Sequence, residues 1–383
     1  MKFPWTMSLL LLAMPAIAVT NSAAEKTNPA SYVAIDETVL QTRLQALDLP
    51  ISIRLTPAVE SFVNEFTTTG KKGSEAMLGR SVLYFSIFEY YLNLYGLPEQ
   101  LKYLAMVESN LSPTAVSAAG AAGLWQLMTA TAQHYGLHVN SYVDERRDPY
   151  RSTEAAVRFL SDLYKQFGAW ELALAAYNCG ASNVQKAIRT AGSKDFWAIR
   201  EHLPSQTQVY VPRFIAAAYL AEYYNQHDLQ PEFPEYDMRF TRTIKVYSQL
   251  PLNKVASITG ISISVIRKLN PAYPQGIIPA SSKGHFLTLP ELGIMAFQDY
   301  LRWSGNNSIK TDLVTAMYQG NLSAKGGTTV TVDAGDSIES IARLHGVTKY
   351  EIMEWNQLQD ENLYYRQELV LFTSSANSSV RKA

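Results

Sequence analysis

Glu108 is an acidic side chain at a position where its own segment calls for a hydrophobic one. The spacing predicts a helix that starts at Pro98, because proline has no backbone N–H to leave unbonded at a first helical position. Glu108 then continues a core-facing stripe formed by Leu101, Leu104 and Ala105. Burial disfavours a charged carboxylate and raises its pKa, which predicts a general acid that is protonated near neutral pH. The alternative is an ordinary solvated or ion-paired carboxylate at the edge of the stripe.

A glycine-rich stretch, Ser-Ala-Ala-Gly-Ala-Ala-Gly-Leu-Trp-Gln-Leu-Met at 117–128, interrupts the helical pattern. Gly120 and Gly123 permit backbone shapes and close approaches that a side chain would forbid, which predicts a loop lining a cleft. Gln126 lies between Trp125 and Leu127, where a core residue would be apolar. We therefore take Gln126 as a candidate polar group of that cleft.

Metal and nucleophile chemistry find little support in the sequence. His134 and His138 are four residues apart, but Gly136 lies between them and no acidic residue completes a zinc-binding pattern. Cys179, the single cysteine, has no basic neighbour and is expected to pack as a small hydrophobic residue. We expect no metal and no cofactor.

The elements that must position these residues are mainly helices. Between Thr56 and about residue 225, apolar residues recur at helical spacing, with glycine and proline residues between the segments. Thr56 and Pro57 predict a capped helix start. The clearest helical segments are 82–95, 98–109, 152–167, 170–178 and 208–225.

Two smaller units follow Pro231 and Pro234, at about 239–291 and 328–373. Each predicts the order strand, helix, helix, strand, and their likeness suggests a diverged repeat. A Gly- and Asn-rich linker that begins near Gly305 joins them. The polar tail, 374–383, is predicted to be disordered.

The first 24 residues have the pattern of a secretory signal peptide, and a helical extension is predicted over 25–79. No later apolar run is long enough to span a bilayer, so no integral membrane segment is expected after cleavage. The net charge of −1 gives no electrostatic case for nucleic acid. We expect an exported protein of the periplasm or cell envelope, soluble or wall-associated, without a lipid-bearing cysteine.

Five short motifs follow one another in residues 80–230: Glu108-Ser109, Gly-Ala-Ala-Gly-Leu-Trp-Gln at 120–126, Asp-Glu-Arg-Arg-Asp-Pro at 144–149, Ala-Tyr-Asn-Cys-Gly at 176–180 and Thr-Gln-Val-Tyr-Val at 207–211. In this order they resemble the lysozyme-like catalytic domain of lytic murein transglycosylases. The unit at 328–373 resembles a LysM domain, a glycan-binding fold, and the unit at 239–291 resembles a degenerate LysM-like module. The resemblance implies a mainly α protein whose partner is peptidoglycan glycan strands; it names no protein partner.

The resemblance implies that Glu108 acts alone, first as acid and then as base. Glu108 would protonate the oxygen between N-acetylmuramic acid (MurNAc) and N-acetylglucosamine (GlcNAc), and the muramic acetamido group would stabilise the positive charge. The resulting carboxylate would deprotonate the muramic C6 hydroxyl, which attacks C1 and leaves a 1,6-anhydro end. The open alternatives are a water-using muramidase and a non-catalytic peptidoglycan-binding scaffold.

Hydrolytic glycosidases commonly need a second carboxyl group. Asp144, Glu145 and Asp148 are candidates, but they alternate with Arg146 and Arg147, which predicts an ion-paired loop.

The resemblance also carries over binding positions. In the catalytic domain the expected substrate-binding residues are Ser109, Gln126, Tyr177, Asn178 and Tyr210. In the LysM domain the expected glycan-binding residues are Gly335, Asp336, Ser337 and Asn356. Two positions depart from the usual pattern: Gln206 stands where glutamate is common, and Arg366 stands where glycine is common.

Overall fold

The computed structural model describes residues 35–239, 241–303, 311–313, 328–332, 337–345, 347, 349–356, 358, 360–364 and 367–371. The predicted signal peptide, the predicted disordered tail, Gly335, Asp336 and Arg366 lie outside these residues. The chain divides into two compact units, Met1–Val314 and Thr315–Ala383. Within the described part of the chain, no helix combines the length and the apolar character needed to cross a membrane.

The first unit begins with a helical domain, as the apolar spacing predicts. Its helices are α1 (Glu37–Gln45), α2 (Pro57–Asn64), α3 (Lys71–Leu94), α4 (Leu104–Ser109), α5 (Thr129–His134), α6 (Pro149–Phe167), α7 (Trp170–Cys179), α8 (Ala181–Ala191), α9 (Phe196–Ile199), α10 (Ser205–Gln208), α11 (Tyr210–Tyr223) and α12 (Tyr236–Arg239). A π-helical turn at Glu65–Thr69 and 3-10 turns at Glu99–Tyr103, Arg200–His202 and Tyr224–His227 connect some of them. The core is built around α11, with Phe88, Trp125, Phe214 and Tyr219 fully buried.

Local capping explains several helix starts. Thr56 accepts a hydrogen bond from the Val59 N–H ahead of Pro57, so the predicted start of α2 is confirmed. The predicted start at Pro98 is one residue early. Pro98 keeps an extended ψ of 129°, and the chain enters a 3-10 turn at Glu99 before α4 begins.

A small mixed module completes the first unit, with β1 (Thr241–Val246), β2 (Leu250–Pro251), α13 (Leu252–Thr259), α14 (Ile263–Leu269), β3 (Ile277–Ile278), β4 (His285–Pro290), α15 (Glu291–Trp303) and β5 (Thr311–Leu313). Strand β1 pairs antiparallel with both β4 and β5. Strand β5 therefore lies in the stretch that the sequence assigned to a linker. Polar composition predicted a linker there, but an edge strand can be polar on its outer face.

This module packs directly against the helical domain. Val143, from the loop before α6, belongs to the buried apolar cluster of the module, with Ile244, Leu287 and Phe297. The Asp144 N–H donates to the Ala272 carbonyl at 2.8 Å. We call this module, residues 241–313, the docked module.

The second unit is a separate small module. Strand β6 (Thr328–Thr331) pairs antiparallel with β7 (Glu368–Leu371), and between them lie α16 (Ile338–His345) and α17 (Lys349–Trp355). Its core is apolar and includes Ile338, Ile341, Ile352, Leu369 and Leu371. The predicted order of strand, helix, helix and strand is confirmed, and so is the mainly α character of the chain.

Candidate active site

Glu108 lies in the last turn of α4, at the end of a buried stripe. Leu101, Leu104 and Ala105 are completely buried, whereas Glu108 is only partly covered. Asn110 ends the helix in the left-handed conformation, with φ 51°. The periodicity thus places a carboxyl group half inside the protein, at a point where the chain turns away.

Tyr210, the first residue of α11, makes the principal contact with this carboxyl group. Its hydroxyl donates a hydrogen bond to Glu108 Oε1. Burial raises the pKa of Glu108 to about 7, although the Tyr210 hydrogen bond and the charge of Arg213 both act to lower it. A carboxyl group with this pKa can donate a proton near neutral pH and can accept one back.

Arg213, which the sequence pattern did not single out, belongs to the site because its charge lowers the pKa of Glu108. Its guanidinium lies over the rings of Phe62 and Phe66, with centroid distances of 5.5 and 5.9 Å. The available signal was its spacing: Arg213 follows Tyr210 by three residues on one helix, and residues three apart share a face.

Ser109 and Tyr177 tie the glycine-rich loop to the site. The Ser109 hydroxyl is near the Leu124 carbonyl at 2.8 Å and the Ala105 carbonyl at 3.1 Å. The Tyr177 hydroxyl donates to the Trp125 carbonyl at 2.7 Å. Burial, and then the nearby charge of Glu108, raise the pKa of Tyr177, so its hydroxyl stays protonated. Both side chains therefore position the loop.

Gln126 adopts a left-handed backbone, with φ 47°, which is uncommon for a residue that carries a side chain. Its Nε2 donates to the Gly123 carbonyl at 2.9 Å and to the Ala115 carbonyl at 3.2 Å. A Cβ atom on Gly123 would lie 1.7 Å from the Arg146 carbonyl oxygen, so the close approach predicted for this glycine is confirmed. We call residues 115–127 the cleft loop.

Asn178 is linked to the segment that carries Tyr210. Its Oδ1 accepts a hydrogen bond from the Thr207 hydroxyl at 2.7 Å, which ties α7 to α10. Gln206, next to Thr207, is exposed.

The other acidic candidates are engaged in structural contacts. Asp144 pairs with Arg146 at 2.8 Å and with Arg147 at 3.3 Å, and Asp148 caps α6. Burial alone would raise the pKa of Glu145, but the nearby His285 side chain and the hydrogen bond from the His138 N–H lower it. Burial raises the pKa of Asp148 to about 6. The ion-paired loop predicted from the alternating charges is confirmed.

Within the residues that the structure covers, no group of three or more His, Cys, Asp or Glu side chains is arranged to hold a metal ion. Burial raises the pKa of the Cys179 thiol, which disfavours a thiolate nucleophile.

The second module places two of its four predicted glycan-binding residues. Ser337 caps α16 by accepting a hydrogen bond from the Ser340 N–H at 3.1 Å. The Asn356 amide bonds the Ile352 carbonyl and both backbone groups of Val370. Asn270 of the docked module makes the corresponding bonds to Ile266 and Thr288. This shared arrangement favours a structural role for Asn356, because its amide is already used within the fold.

Comparisons with known proteins match three domains along the chain. The family described as "Transglycosylase SLT domain" matches residues 86–200. The family described as "Lytic transglycosylase MltD, LysM-like domain" matches residues 240–303, and "LysM domain" matches residues 330–372.

Curated relatives and a solved structure carry related names. The chain is 30% identical over 286 residues to membrane-bound lytic murein transglycosylase D of Escherichia coli (strain K12), which covers 73% of this chain and 61% of that protein. It is 30% identical over 141 residues to the soluble lytic murein transglycosylase of the same strain, covering 35% and 22% of the two chains. The structure of the 70 kDa soluble lytic transglycosylase SLT70 from Escherichia coli matches at 25% identity and a TM-score of 0.32, covering 39% of this chain and 25% of that one.

Proposed function

Because this chain contains a transglycosylase SLT domain followed by an MltD-type LysM-like domain and a LysM domain, we propose that it is a peptidoglycan lytic transglycosylase. Its substrate would be the β-1,4 bond between MurNAc and GlcNAc, and its product a 1,6-anhydro-MurNAc end. The chain spans 61% of the length of membrane-bound lytic murein transglycosylase D of Escherichia coli (strain K12).

The observation that carries the proposal is the sheltered carboxyl group of Glu108, whose pKa burial raises to about 7. A substantial fraction of this group is protonated at neutral pH, so it can donate a proton to the glycosidic oxygen as the bond breaks. The Tyr210 hydroxyl, which contacts Glu108, then stabilises the carboxylate that forms.

The second half of the reaction uses the same residue as a base. The positive charge that develops at the muramic C1 is stabilised by the neighbouring acetamido group of the substrate. The Glu108 carboxylate takes the proton of the C6 hydroxyl, whose oxygen bonds to C1 and closes the anhydro ring. No water enters the products, and a site that excludes water favours the internal hydroxyl.

Four further residues are proposed to bind or orient the sugar beside Glu108: Ser109, Gln126, Tyr177 and Asn178. Their contacts with the cleft loop and with α10 support this role, because a fixed loop holds substrate groups at fixed positions. Tyr210 completes the set through Glu108.

Product analysis tests the proposal against its two alternatives. Purified sacculi are incubated with the full chain, and the soluble fragments are measured by mass spectrometry. We expect anhydro products, each lighter by one water than the corresponding reducing sugar. Reducing products would establish a muramidase, and the absence of soluble fragments at any enzyme concentration would establish a non-catalytic scaffold.

We further propose that the LysM domain holds the protein on its insoluble substrate, which places its action in the cell envelope. Weak glycan contacts tethered to a catalytic domain raise the local substrate concentration without changing the chemistry. The match of residues 330–372 to the LysM family supports a binding role for this domain, separate from the catalytic role of the first unit.

A further inference from the structure

The acidic loop 139–148 connects the docked module to the cleft loop through side chains that the proposed chemistry does not use. Asp144 receives two parallel hydrogen bonds from Arg146, from Nε at 2.8 Å and from Nη2 at 3.0 Å. Both side chains are about nine-tenths covered, with exposures of 9% and 10%. Such a bidentate pair fixes the guanidinium plane as well as its position.

Arg146 uses its remaining nitrogen to hold the cleft loop. Nη1 donates to the Gly120 carbonyl at 2.7 Å and to the Leu127 carbonyl at 3.3 Å, so it spans the part of the loop that includes Gln126. The Arg146 backbone also touches this loop, because its carbonyl fills the space beside Gly123. The planar guanidinium of an arginine has enough N–H donors to bond Asp144 and two carbonyl groups at once. The ammonium group of a lysine is compact and cannot reach all three acceptors together.

The opposite side of the acidic loop is held by the docked module. The Ala272 carbonyl accepts from the Asp144 N–H at 2.8 Å, and the Gln275 amide donates to the Ser141 carbonyl at 2.9 Å. His285 Nδ1 lies 3.7 Å from Glu145 Oε1, and each side chain is only 7% exposed. A continuous set of contacts therefore runs from the docked module to the cleft loop.

We propose that Asp144 and Arg146 are positioning residues for the cleft loop, and that the docked module supports them as a fixed part of the catalytic domain. The inference rests on the proposed function only where it concerns rate. The cleft loop contacts Ser109 and Tyr177 through the Leu124 and Trp125 carbonyls, so a displaced loop opens the surroundings of Glu108 to water.

Arg146→Lys in the full chain tests the first part, with Arg147→Lys as the matched control. Arg147 pairs with the same Asp144 and lies next in sequence, and the substitution likewise keeps the charge. We expect Arg146→Lys to accelerate hydrogen exchange of the amides at 115–127 and to lower kcat about tenfold or more through misplacement. In Arg147→Lys, the exchange rates at 115–127 and kcat should both stay within about twofold of the values for the unsubstituted chain.

The pH profile separates positioning from a loss of folded protein. Water reaching Glu108 lowers its pKa from about 7 towards the ordinary value, so the alkaline limb of kcat moves to lower pH in Arg146→Lys. A purely structural role reduces the amount of active enzyme and leaves the limb in place. If Arg146→Lys does not fold, Asp144→Asn, which retains Arg146 but removes the charge pair, is measured in the same way.

His285→Gln tests the contribution of the docked module. We expect faster exchange both at 139–148 and at 115–127. Faster exchange at 139–148 alone would overturn the role of the module, and unchanged exchange at 115–127 in Arg146→Lys would overturn the role of the pair. Exchange needs no substrate, so a chain that releases no anhydro products but shows these changes refutes the proposed function and leaves this inference standing.

Discussion

At the scale of single residues, the proposed chemistry depends on how far Glu108 is removed from water. Complete burial without a partner would keep the carboxyl group protonated and unable to act as a base, whereas full exposure would leave it ionised at neutral pH. Burial on one side and the Tyr210 hydroxyl on the other bring its pKa to about 7. One residue can then act as acid and base in a single reaction cycle.

We expect Glu108→Gln to fold normally and to lose at least about 100-fold in the rate of fragment release, the lower end for removal of a positioned acid or base. The amide keeps the shape of the side chain but carries no transferable acidic proton. Release of soluble fragments from sacculi measures the rate, and exposed Glu201→Gln is the control. Near-normal release by Glu108→Gln would remove this residue from the mechanism.

Tyr210→Phe should move the alkaline limb of activity to higher pH. The Tyr210 hydrogen bond favours the charged carboxylate and lowers the Glu108 pKa, so its removal leaves desolvation less opposed and raises that pKa. The acid form then persists further into the alkaline range, while kcat falls because the carboxylate loses a donor. The pH dependence of kcat measures both effects, with Tyr164→Phe as a surface control. A limb that stays in place or moves to lower pH would contradict the assignment.

At the scale of elements, the site is assembled where α4, α7 and α11 meet the cleft loop. Asn178 ties α7 to α10, just ahead of α11, and Ser109 ties α4 to the loop. The loop itself depends on close packing of backbone against backbone at Gly123. Its shape is set by neighbouring elements as much as by its own residues.

Gly123→Ala and Gly120→Ala form a matched pair that tests this packing. Both glycines have a positive φ, 83° and 84°, so each alanine incurs backbone strain of about 1–2 kcal/mol. Only at Gly123 does the added Cβ meet the Arg146 carbonyl; at Gly120 nothing lies within 4 Å. We expect Gly123→Ala to lower the free energy of unfolding by at least about 1 kcal/mol more than Gly120→Ala does, from overpacking. Urea denaturation measures the free energy of unfolding of each variant. Equal decreases in the two variants would show that the loop can shift to accommodate the added Cβ atom at Gly123 without further cost.

At the scale of the whole molecule, the two LysM-type modules differ in whether they pack within the first compact unit or form a unit of their own. The docked module shares an apolar cluster with Val143 of the helical domain, whereas residues Thr315–Ala383 form their own compact unit. The first therefore packs as part of the first unit, in agreement with the supporting role proposed for it. Glycan binding by the second remains a proposal that rests on its match to the LysM family.

Deletion of residues from 328 onward should weaken binding to sacculi while sparing the cleavage of short soluble glycan chains. The tether raises the local concentration of an insoluble polymer but leaves the site of the first unit intact. Co-sedimentation with sacculi and turnover of a soluble chain measure the two properties separately. Unchanged sedimentation would assign another role to the module.

The sequence alone determined the helical character of the first unit, the second module, and the placement of Glu108 at the end of a buried stripe. These features follow from periodicity, which reports the face of one element and needs no knowledge of its neighbours. The same reasoning identified the acidic loop as ion-paired, because opposite charges alternate within a few residues. Two predictions from the sequence were less accurate. The helix start was placed at Pro98, one residue early, and the stretch that contains β5 was taken for a linker.

Only the tertiary structure decided which groups meet at the site. Tyr210 is 102 residues from Glu108 along the chain, and Arg146 reaches Leu127 across 19 residues. The double use of Arg146 and the support from the docked module have no periodic signature. Such contacts arise when separate elements pack together, and the pattern within each element says which face is buried but not which residue of another element covers it.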